Sequence, residues 1–270
     1  MERITSPQNP RVKLAAKLAD RRGRRQQGRF AIYGARELRR ALEAGVRPTE
    51  AFVCPELCRN DDAREALQLL RQLGVSRLEV APPLLEKLSY GDRSDGIVAI
   101  VQDWTPALGD VKLPPQPLVA VLEGIEKPGN VGAVLRSADA AGVSSLVIAD
   151  GGTDLFNPNT IRASLGTIFT VPVCCATSGE TLSWLRDQKL KIFAARVDGA
   201  IDYTRVNFAQ PAAIVLGSEA DGLCDVWRAE GVTAIRLPMR GRADSLNVSA
   251  TAAVLFYEAL KQREGRGSEV

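Results

Sequence analysis

An uninterrupted apolar run at residues 118–122 constrains the fold of this chain more than any other feature. The run reads Leu-Val-Ala-Val-Leu, without a single polar residue. A strand of that composition is buried on both faces, which is typical of a parallel sheet that helices cover. Further strand patterns alternate with helix patterns at 145–149, 169–174, 191–195, 212–216 and 233–237. The sequence therefore predicts an α/β domain with a mostly parallel sheet and with ligands at the carboxyl ends of the strands.

A smaller α/β domain is predicted before that sheet. Helix patterns alternate there with strand patterns at 30–33, 51–53, 78–80 and 96–101. Four prolines between residues 106 and 117 are typical of a linker. We therefore predict an N-terminal domain at 1–105, a linker at 106–116 and a C-terminal domain at 117–265.

Basic residues are concentrated near the N-terminus. Residues 1–47 contain thirteen Lys or Arg and four Asp or Glu, although the net charge of the whole chain is only +3. The pattern at 10–22 predicts a basic amphipathic helix, which a cationic turn at 21–25 ends. A basic arm on a mildly acidic body indicates a polyanionic partner such as nucleic acid. A solvated helix without a partner is the alternative.

The missing residue types exclude several classes of chemistry. The chain has no histidine, which rules out Ser-His-Asp and Cys-His hydrolases and His-ligated metal centres. Its five cysteines do not form two pairs at zinc spacing. No apolar stretch reaches the roughly 18 residues of a membrane span, and the N-terminus lacks an apolar signal region. We expect a cytosolic protein with reduced cysteines, without a metal or a membrane partner.

Three strand-to-helix loops carry the candidate site residues. In the first, at 127–136, Gly129 and Gly132 permit close approach of a ligand to the backbone. Neither a dinucleotide fingerprint nor a P-loop is present there. Asn130 and Arg136 are its polar candidates, and a surface ion pair is the alternative role for Arg136.

The second loop follows the strand at 212–216 and reads Gly-Ser-Glu, ending at Glu219. A helix cap and a functional role are equally compatible with Glu219. The third loop, Asp244–Ala250, places four polar residues directly before a long apolar helix pattern. That is more polar side chains than a helix cap requires.

Taken together, the three loops resemble the motifs of a known family. The ordered set is Asn130-x-Gly132-Ala133-x-x-Arg136, then Leu216-Gly217-Ser218-Glu219, then Leu237-Pro238-Met239 followed by Ser245-Leu246-Asn247-Val248-Ser249. It is similar to the three motifs of the SpoU/TrmH family of RNA 2′-O-ribose methyltransferases, which belong to the SPOUT class. The similarity covers residues 117–264. Residues 6–10 and 30–42 resemble the N-terminal substrate-binding domain of some members.

The resemblance implies a fold and an assembly that residue patterns cannot provide. It implies a C-terminal parallel sheet with a deep trefoil knot, a feature nearly absent from proteins in general. It also implies a homodimer that packs helices 133–141 and 250–260 across a two-fold axis. The RNA site would then take residues from both subunits.

The resemblance further implies the reaction, in which a ribose 2′-hydroxyl attacks the methyl group of S-adenosylmethionine. By resemblance the catalytic residues are Asn130, Arg136, Glu219, Ser245 and Asn247. Those that hold the cofactor are Ala195, Leu216, Gly217, Leu237, Ser245 and Leu246. Those that contact RNA are Arg21, Arg22, Arg24, Arg25 and Arg162. Arg136 is interpreted as a phosphate clamp or as the general base, although a guanidinium with a pKa above about 12 is an unusual base.

The separate N-terminal domain favours ribosomal RNA, most of all 23S ribosomal RNA, as the substrate. Transfer RNA is the alternative substrate. Two other hypotheses are an RNA-binding relative without catalysis and a small-molecule α/β enzyme that binds a nucleotide at the Gly129 loop.

Overall fold

A computed structural model describes residues 2–91, 94–104, 106–152 and 154–265 of the chain. Its residues group into two compact units. The N-terminal unit comprises residues up to 104 together with 154–170, and the C-terminal unit comprises the others. The insertion of 154–170 into the N-terminal unit follows no boundary visible in the sequence. None of the described helices is long and apolar enough to span a bilayer.

The N-terminal unit is built on a five-stranded mixed sheet. Labels run in chain order over the whole protein, and its strands are β1 Glu2–Ile4, β2 Arg29–Ile32, β3 Glu50–Val53, β4 Ser76–Val80 and β5 Ile97–Gln102. The strand order is β1-β4-β3-β5-β2, and β5 is antiparallel to both of its neighbours. The helices are α1 Pro10–Ala16, α2 Arg21–Gln27, α3 Ala35–Glu43, α4 Asp61–Gln72, α5 Pro82–Leu88 and, from the inserted segment, α7 Pro158–Ala163. Strand β1 has no counterpart in the sequence prediction.

The basic helix predicted at 10–22 is two helices. A short 3-10 segment, Lys17–Ala19, follows α1, and Asp20 has an extended backbone that separates it from α2. The prediction was therefore wrong in treating 21–25 as a cationic turn, because these residues form the first turns of α2. Gly28, in the left-handed conformation that glycine tolerates best, ends α2.

The C-terminal unit contains a seven-stranded sheet in which every neighbouring pair is parallel. Its strands are β6 Leu118–Glu123, β7 Ser145–Ala149, β8 Val173–Ala176, β9 Lys191–Ala195, β10 Ile201–Asp202, β11 Ala212–Leu216 and β12 Val232–Arg236. Its helices are α6 Pro128–Ala140, α8 Ser178–Asp187 and α9 Val248–Glu264. The predicted parallel α/β architecture is confirmed.

The strand order of this sheet is β10-β12-β9-β11-β6-β7-β8. Strand β11 lies between β6 and β9, and β12 lies between β9 and β10, although all of these neighbours precede them in the chain. The carboxyl ends of β9, β11 and β12 are therefore brought to one edge of the sheet. That edge is where open parallel sheets bind ligands.

Two element boundaries differ from prediction, and the first of them affects the site. Helix α6 begins at Pro128 rather than near Ala133, so Gly129, Asn130 and Gly132 lie in its first turns. Proline is well suited to the first position of a helix because its missing N–H has no partner there in any case. The strand predicted at 169–174 begins only at Val173, since residues 167–169 form a 3-10 turn.

Candidate functional site

A cavity of about 920 Å³ lies at the carboxyl ends of β9, β11 and β12, entirely within the C-terminal unit. A volume of this size falls in the range of small-molecule and cofactor sites. Seven of the residues predicted from the sequence line it, namely Ala195, Leu216, Gly217, Glu219, Leu237, Ser245 and Leu246. Asn130, Arg136 and Asn247 do not line it.

The loop after β11 is a tight turn that only glycine can begin. The backbones of Ser218 and Gly222 donate to each other, at 3.1 Å in both directions. A Cβ atom at position 217 would overlap the carbonyl group of Gly222. Gly217 therefore allows the chain to fold back closely on itself in this wall of the cavity.

The opposite wall contains an uncovered leucine. Leu246 lines the cavity with 41% of its surface exposed, directly before α9 begins. A large apolar side chain at the mouth of a cavity gains free energy when an apolar ligand covers it. Leu246 is thus suited to ligand contact, whereas Val248, two residues later, is buried in the core.

Glu219 joins two helix N-termini beside this cavity. Its Oε1 accepts a hydrogen bond from Asn130 Nδ2 at 3.1 Å and another from Asn247 Nδ2. Asn130 lies in the first turn of α6, and Asn247 is the N-cap of α9, where its Oδ1 accepts from the backbone N–H of Ser249 at 2.9 Å. Asn247 Nδ2 also donates to Asn130 Oδ1 at 3.3 Å. The structure thus brings three predicted site residues, 117 positions apart at most, into one polar cluster.

Lys127 completes this cluster, and no role was predicted for it. Its Nζ lies 3.2 Å from Glu219 Oε2. The Lys127 ammonium, together with the amide donors, holds the pKa of the Glu219 carboxyl below its ordinary value. Glu219 is therefore ionised at neutral pH and acts as an acceptor rather than as a proton donor. The sequence signal for this role of Lys127 is weak, because it consists of a lysine directly before the proline that begins α6.

Arg136 does not join the cluster. It is exposed on α6, and among the described residues it makes no hydrogen bond or ion pair with Glu219 or any other side chain. Glu219, which by the family resemblance orients either Arg136 or its loop, therefore does not contact Arg136 within one chain. The physical reason is helix geometry, because six residues separate Arg136 from Asn130 by roughly 9 Å along the axis and turn it to another face.

A second ionic contact at the cavity also escaped the sequence prediction. Asp198 accepts two hydrogen bonds from Arg196, at 2.8 and 2.7 Å, and lies 3.5 Å from Arg228. All three residues line the cavity. Asp198 lies in the loop after β9, and Arg228 lies in the 3-10 turn after the Gly217 loop. The contact therefore connects two of the loops that form the walls.

Glu123 holds the segment that follows the Gly217 loop. This buried carboxylate at the end of β6 accepts from Trp227 Nε1 at 2.7 Å, from the Cys224 backbone N–H at 2.7 Å and from the Ser178 hydroxyl. Buried carboxylates require such donors, since an unpaired one is costly. Glu123 thus fixes the segment that follows the turn at 218–222.

The arginines predicted to bind RNA occupy different environments. Arg21, Arg22 and Arg25 are exposed on α2, and Arg162 is exposed on α7. Arg24 is only 4% exposed, so assigning it to RNA was wrong. Its guanidinium binds Asp154 at 2.6 Å and the carbonyl oxygens of Leu18 and Ala19 at 2.7 and 2.8 Å. The spacing of α2 turns this one cation inward.

Two family models match the chain. The SpoU rRNA Methylase family matches residues 117–257, and the MRM3-like substrate binding domain matches residues 9–99. A 23S rRNA (uridine(2479)-2′-O)-methyltransferase from Streptomyces viridochromogenes is 30% identical, over 97% of this chain and 92% of that protein.

Solved structures of RNA methyltransferases are also similar to this chain. An RNA 2′-O ribose methyltransferase is 42% identical with a TM-score of 0.83, covering 97% of this chain and 99% of that one. An AdoMet-bound rRNA methyltransferase from Sinorhizobium meliloti is 26% identical with a TM-score of 0.85, covering 96% and 97%.

Proposed function

This chain belongs to the SpoU rRNA methylase family, and we propose that it transfers a methyl group from S-adenosylmethionine to a ribose 2′-hydroxyl of 23S ribosomal RNA. The observation that carries this proposal is the Glu219 cluster with Asn130 and Asn247, formed beside a cavity of cofactor size. Residues from three separate loops converge there. The relatives described above, named as 2′-O-methyltransferases of RNA, support the same reaction.

The cavity residues fit S-adenosylmethionine, which combines an apolar ring system with charged groups. Leu246 offers an uncovered apolar surface, and Gly217 lines the same cavity. We assign cofactor contacts to these two residues together with Ala195, Leu216, Leu237 and Ser245. S-Adenosylmethionine, when bound, supplies an electrophilic methyl group.

The Glu219 cluster positions the ribose. Glu219 is held by three donors, so its carboxylate fixes the side chains of Asn130 and Asn247 relative to each other. Amide groups that are fixed in this way can orient a hydroxyl group before reaction, which accounts for much of the rate in reactions of this type. Ser245 lines the cavity next to Asn247 and completes the set.

Arg136 binds an RNA phosphate. Its guanidinium is exposed on α6. A planar, permanently charged group matches a phosphate better than it abstracts a proton. This assignment leaves the base that receives the hydroxyl proton open among Arg136, another side chain and water.

The protein acts as a homodimer. Ala250, Val254 and Tyr257 are exposed at i, i+4 and i+7 on α9, and Tyr257 is 52% exposed. This spacing gives one apolar stripe along the helix, which a second copy would cover. Arg136 of one subunit would then serve the Glu219 cluster of the other, because within one chain the two do not meet.

The C-terminal sheet forms a trefoil knot. Strands β11 and β12 insert between strands that precede them in the chain, which is the strand order that a threaded connection requires. We assign residues 1–105 to RNA binding, 106–116 to a linker and 117–265 to methyl transfer. The exposed cations Arg21, Arg22, Arg25 and Arg162 contact the RNA, and the reaction takes place in the cytoplasm.

The proposal is tested by mapping 2′-O-methyl groups in 23S ribosomal RNA after incubation with the protein and S-adenosylmethionine. We expect one new methylated ribose and, by calorimetry, one cofactor site per chain. Absence of cofactor binding at millimolar concentration would reject the proposal. Methylation of transfer RNA alone would keep the reaction but replace the substrate.

A further inference from the structure

A narrow cleft in the N-terminal unit is separate from the cofactor cavity. It is lined by two tyrosines, an arginine and apolar residues of α7, namely Tyr33, Tyr90, Arg162, Pro158 and Ile161, with Gly34 and Glu37 at the start of α3. The rings of Tyr33 and Tyr90 lie 5.6 Å apart between centroids and are tilted by 35°. The enclosed part measures about 30 Å³. That is enough room for at least one water molecule or one small polar group of a ligand.

The hydroxyl group of Tyr33 has no partner in this cleft. It is buried, and no described residue accepts or donates a hydrogen bond to it. Buried hydroxyl groups are nearly always hydrogen-bonded, so one without a partner requires an explanation. Burial raises the pKa of this phenol above its ordinary value. The Tyr33 hydroxyl therefore stays protonated and can donate a hydrogen bond to a ligand in the cleft.

Arg162 lies at the same cleft and is not neutralised. Its side chain is exposed, and among the described residues it forms no ion pair. One guanidinium nitrogen would lie 3.1 Å from a Cβ atom built on Gly91, so the group lies against that turn. Gly91 follows Tyr90 directly. The Tyr90 ring, the Arg162 guanidinium and Tyr33, whose hydroxyl has no partner among the described residues, thus line the same small hole.

We propose that this cleft receives an unstacked base of the RNA substrate. The base ring would lie across the opening, against Tyr90 and Arg162, while an exocyclic oxygen enters the hole and accepts a hydrogen bond from Tyr33. Proteins recognise RNA in this manner, by stacking unpaired bases on aromatic rings and guanidinium planes and by bonding to their edges. This inference rests on the proposed function, because it assumes an RNA substrate.

An ordered water molecule is the competing occupant of the hole. The variant Tyr33→Phe distinguishes the two. If the hydroxyl has no partner until a base binds, its removal eliminates an unsatisfied buried donor, so thermal stability should rise. RNA affinity should fall about tenfold, because the bound base loses its hydrogen bond. If a water molecule already satisfies the hydroxyl, stability should fall or stay constant and RNA affinity should not change. The second outcome would overturn the proposal.

A second variant tests stacking and is compared with a control outside the cleft. Affinity for transcribed 23S ribosomal RNA is measured over a range of salt concentrations for Tyr90→Ala and for Arg71→Gln, an exposed arginine of α4 outside the cleft. We expect Tyr90→Ala to weaken binding about tenfold with an unchanged salt slope, since stacking releases no counterions. Arg71→Gln should have little effect on either quantity. Wild-type affinity in Tyr90→Ala would refute the cleft as a base site.

Wild-type methyl transfer and cofactor affinity are measured alongside. If the wild-type protein methylates RNA but the cleft variants bind RNA as tightly as it does, only the cleft proposal fails. If the wild-type protein neither binds nor methylates RNA, the proposed function fails first. Cofactor affinity should be the same in every variant, because the cleft and the cavity share no residue.

Discussion

Asn130 Nδ2 donates a hydrogen bond of 3.1 Å to Glu219 Oε1, and this contact connects the first turn of α6 to the loop after β11. Asn247 donates to the same oxygen from the N-cap of α9. A single carboxylate thus lies at the N-termini of two helices, where a negative charge is stabilised by the free N–H groups and the helix dipoles. The geometry of the proposed ribose site depends on this one side chain.

Replacing that carboxylate should impair catalysis more than binding. Glu219→Gln keeps the size of the side chain but removes the charge that attracts Lys127. It also places an N–H donor where the amide groups of Asn130 and Asn247 require an acceptor. We expect methyl transfer in single-turnover assays to fall roughly 100-fold through misplacement of Asn130 and Asn247. Glu230→Gln, an exposed glutamate of the same unit that does not line the cavity, is the matched control and should retain activity. Equal losses in both variants would contradict the role of Glu219.

The same carboxylate gives a prediction about pH. The pKa of Glu219 is lowered, first by Lys127, so its contribution to stability is fully present above the ordinary value of 4.5 and is lost as the pH falls through the lower, folded-state value. The difference in melting temperature between wild type and Glu219→Gln should therefore stay constant from neutral pH to about pH 5 and shrink below pH 4. A difference that already shrinks near pH 6 would point to another group.

The sequence predicted this cluster only through the family resemblance, which the comparisons confirm. Asn130, Glu219 and Asn247 were each compatible with an ordinary cap or ion pair when considered alone. The role of Lys127 escaped prediction because a lysine in a loop has no periodicity to indicate its partner. Strands β6, β7, β9, β11 and β12 were predicted to within about one residue, because apolar runs between turn residues have few alternatives, whereas β8 begins later than predicted and β10 was not predicted.

The burial of Arg24 is a feature that the sequence could not predict. Five residues at 21–25 include four arginines, and nothing in their order indicates which one faces inward. The partner of Arg24, Asp154, lies 130 residues away in a segment that inserts into the N-terminal unit. Long-range contacts of this kind depend on how 154–170 folds back, which local sequence does not encode.

Arg136 should matter to RNA chemistry and not to the cofactor. Arg136→Ala removes a cation that is unpaired in the described part of the chain, so the free energy of unfolding should hardly change. We expect loss of methyl transfer to RNA, with affinity for S-adenosylmethionine within a few-fold of wild type by calorimetry. Lys191→Ala, an exposed cation in the same unit, is the control. Undiminished transfer in Arg136→Ala would exclude it from the site.

Leu246 should contribute directly to cofactor affinity. It is 41% exposed at the cavity, so truncation to alanine removes little from the folded core. Fully covering an exposed leucine side chain is worth about 1.5–3 kcal/mol. Because only 41% of Leu246 remains to be covered, Leu246→Ala should weaken cofactor binding about three- to eightfold. Leu14→Ala is matched, because Leu14 is 46% exposed but belongs to the N-terminal unit. An equal effect of both substitutions on cofactor affinity would argue against contact at Leu246.

Arg24 and Arg25 are adjacent and carry the same charge, yet their substitution should have opposite consequences. Arg24→Gln leaves Asp154 with no cation in a mostly buried ion pair, which should cost about 3 kcal/mol in urea unfolding. Arg25→Gln alters an exposed side chain, so the free energy of unfolding should hardly change. If Arg25 contacts a phosphate, the slope of log affinity against log salt for 23S ribosomal RNA should fall by about one. A stable Arg24→Gln protein with a reduced slope would reverse the two roles and return Arg24 to the RNA surface.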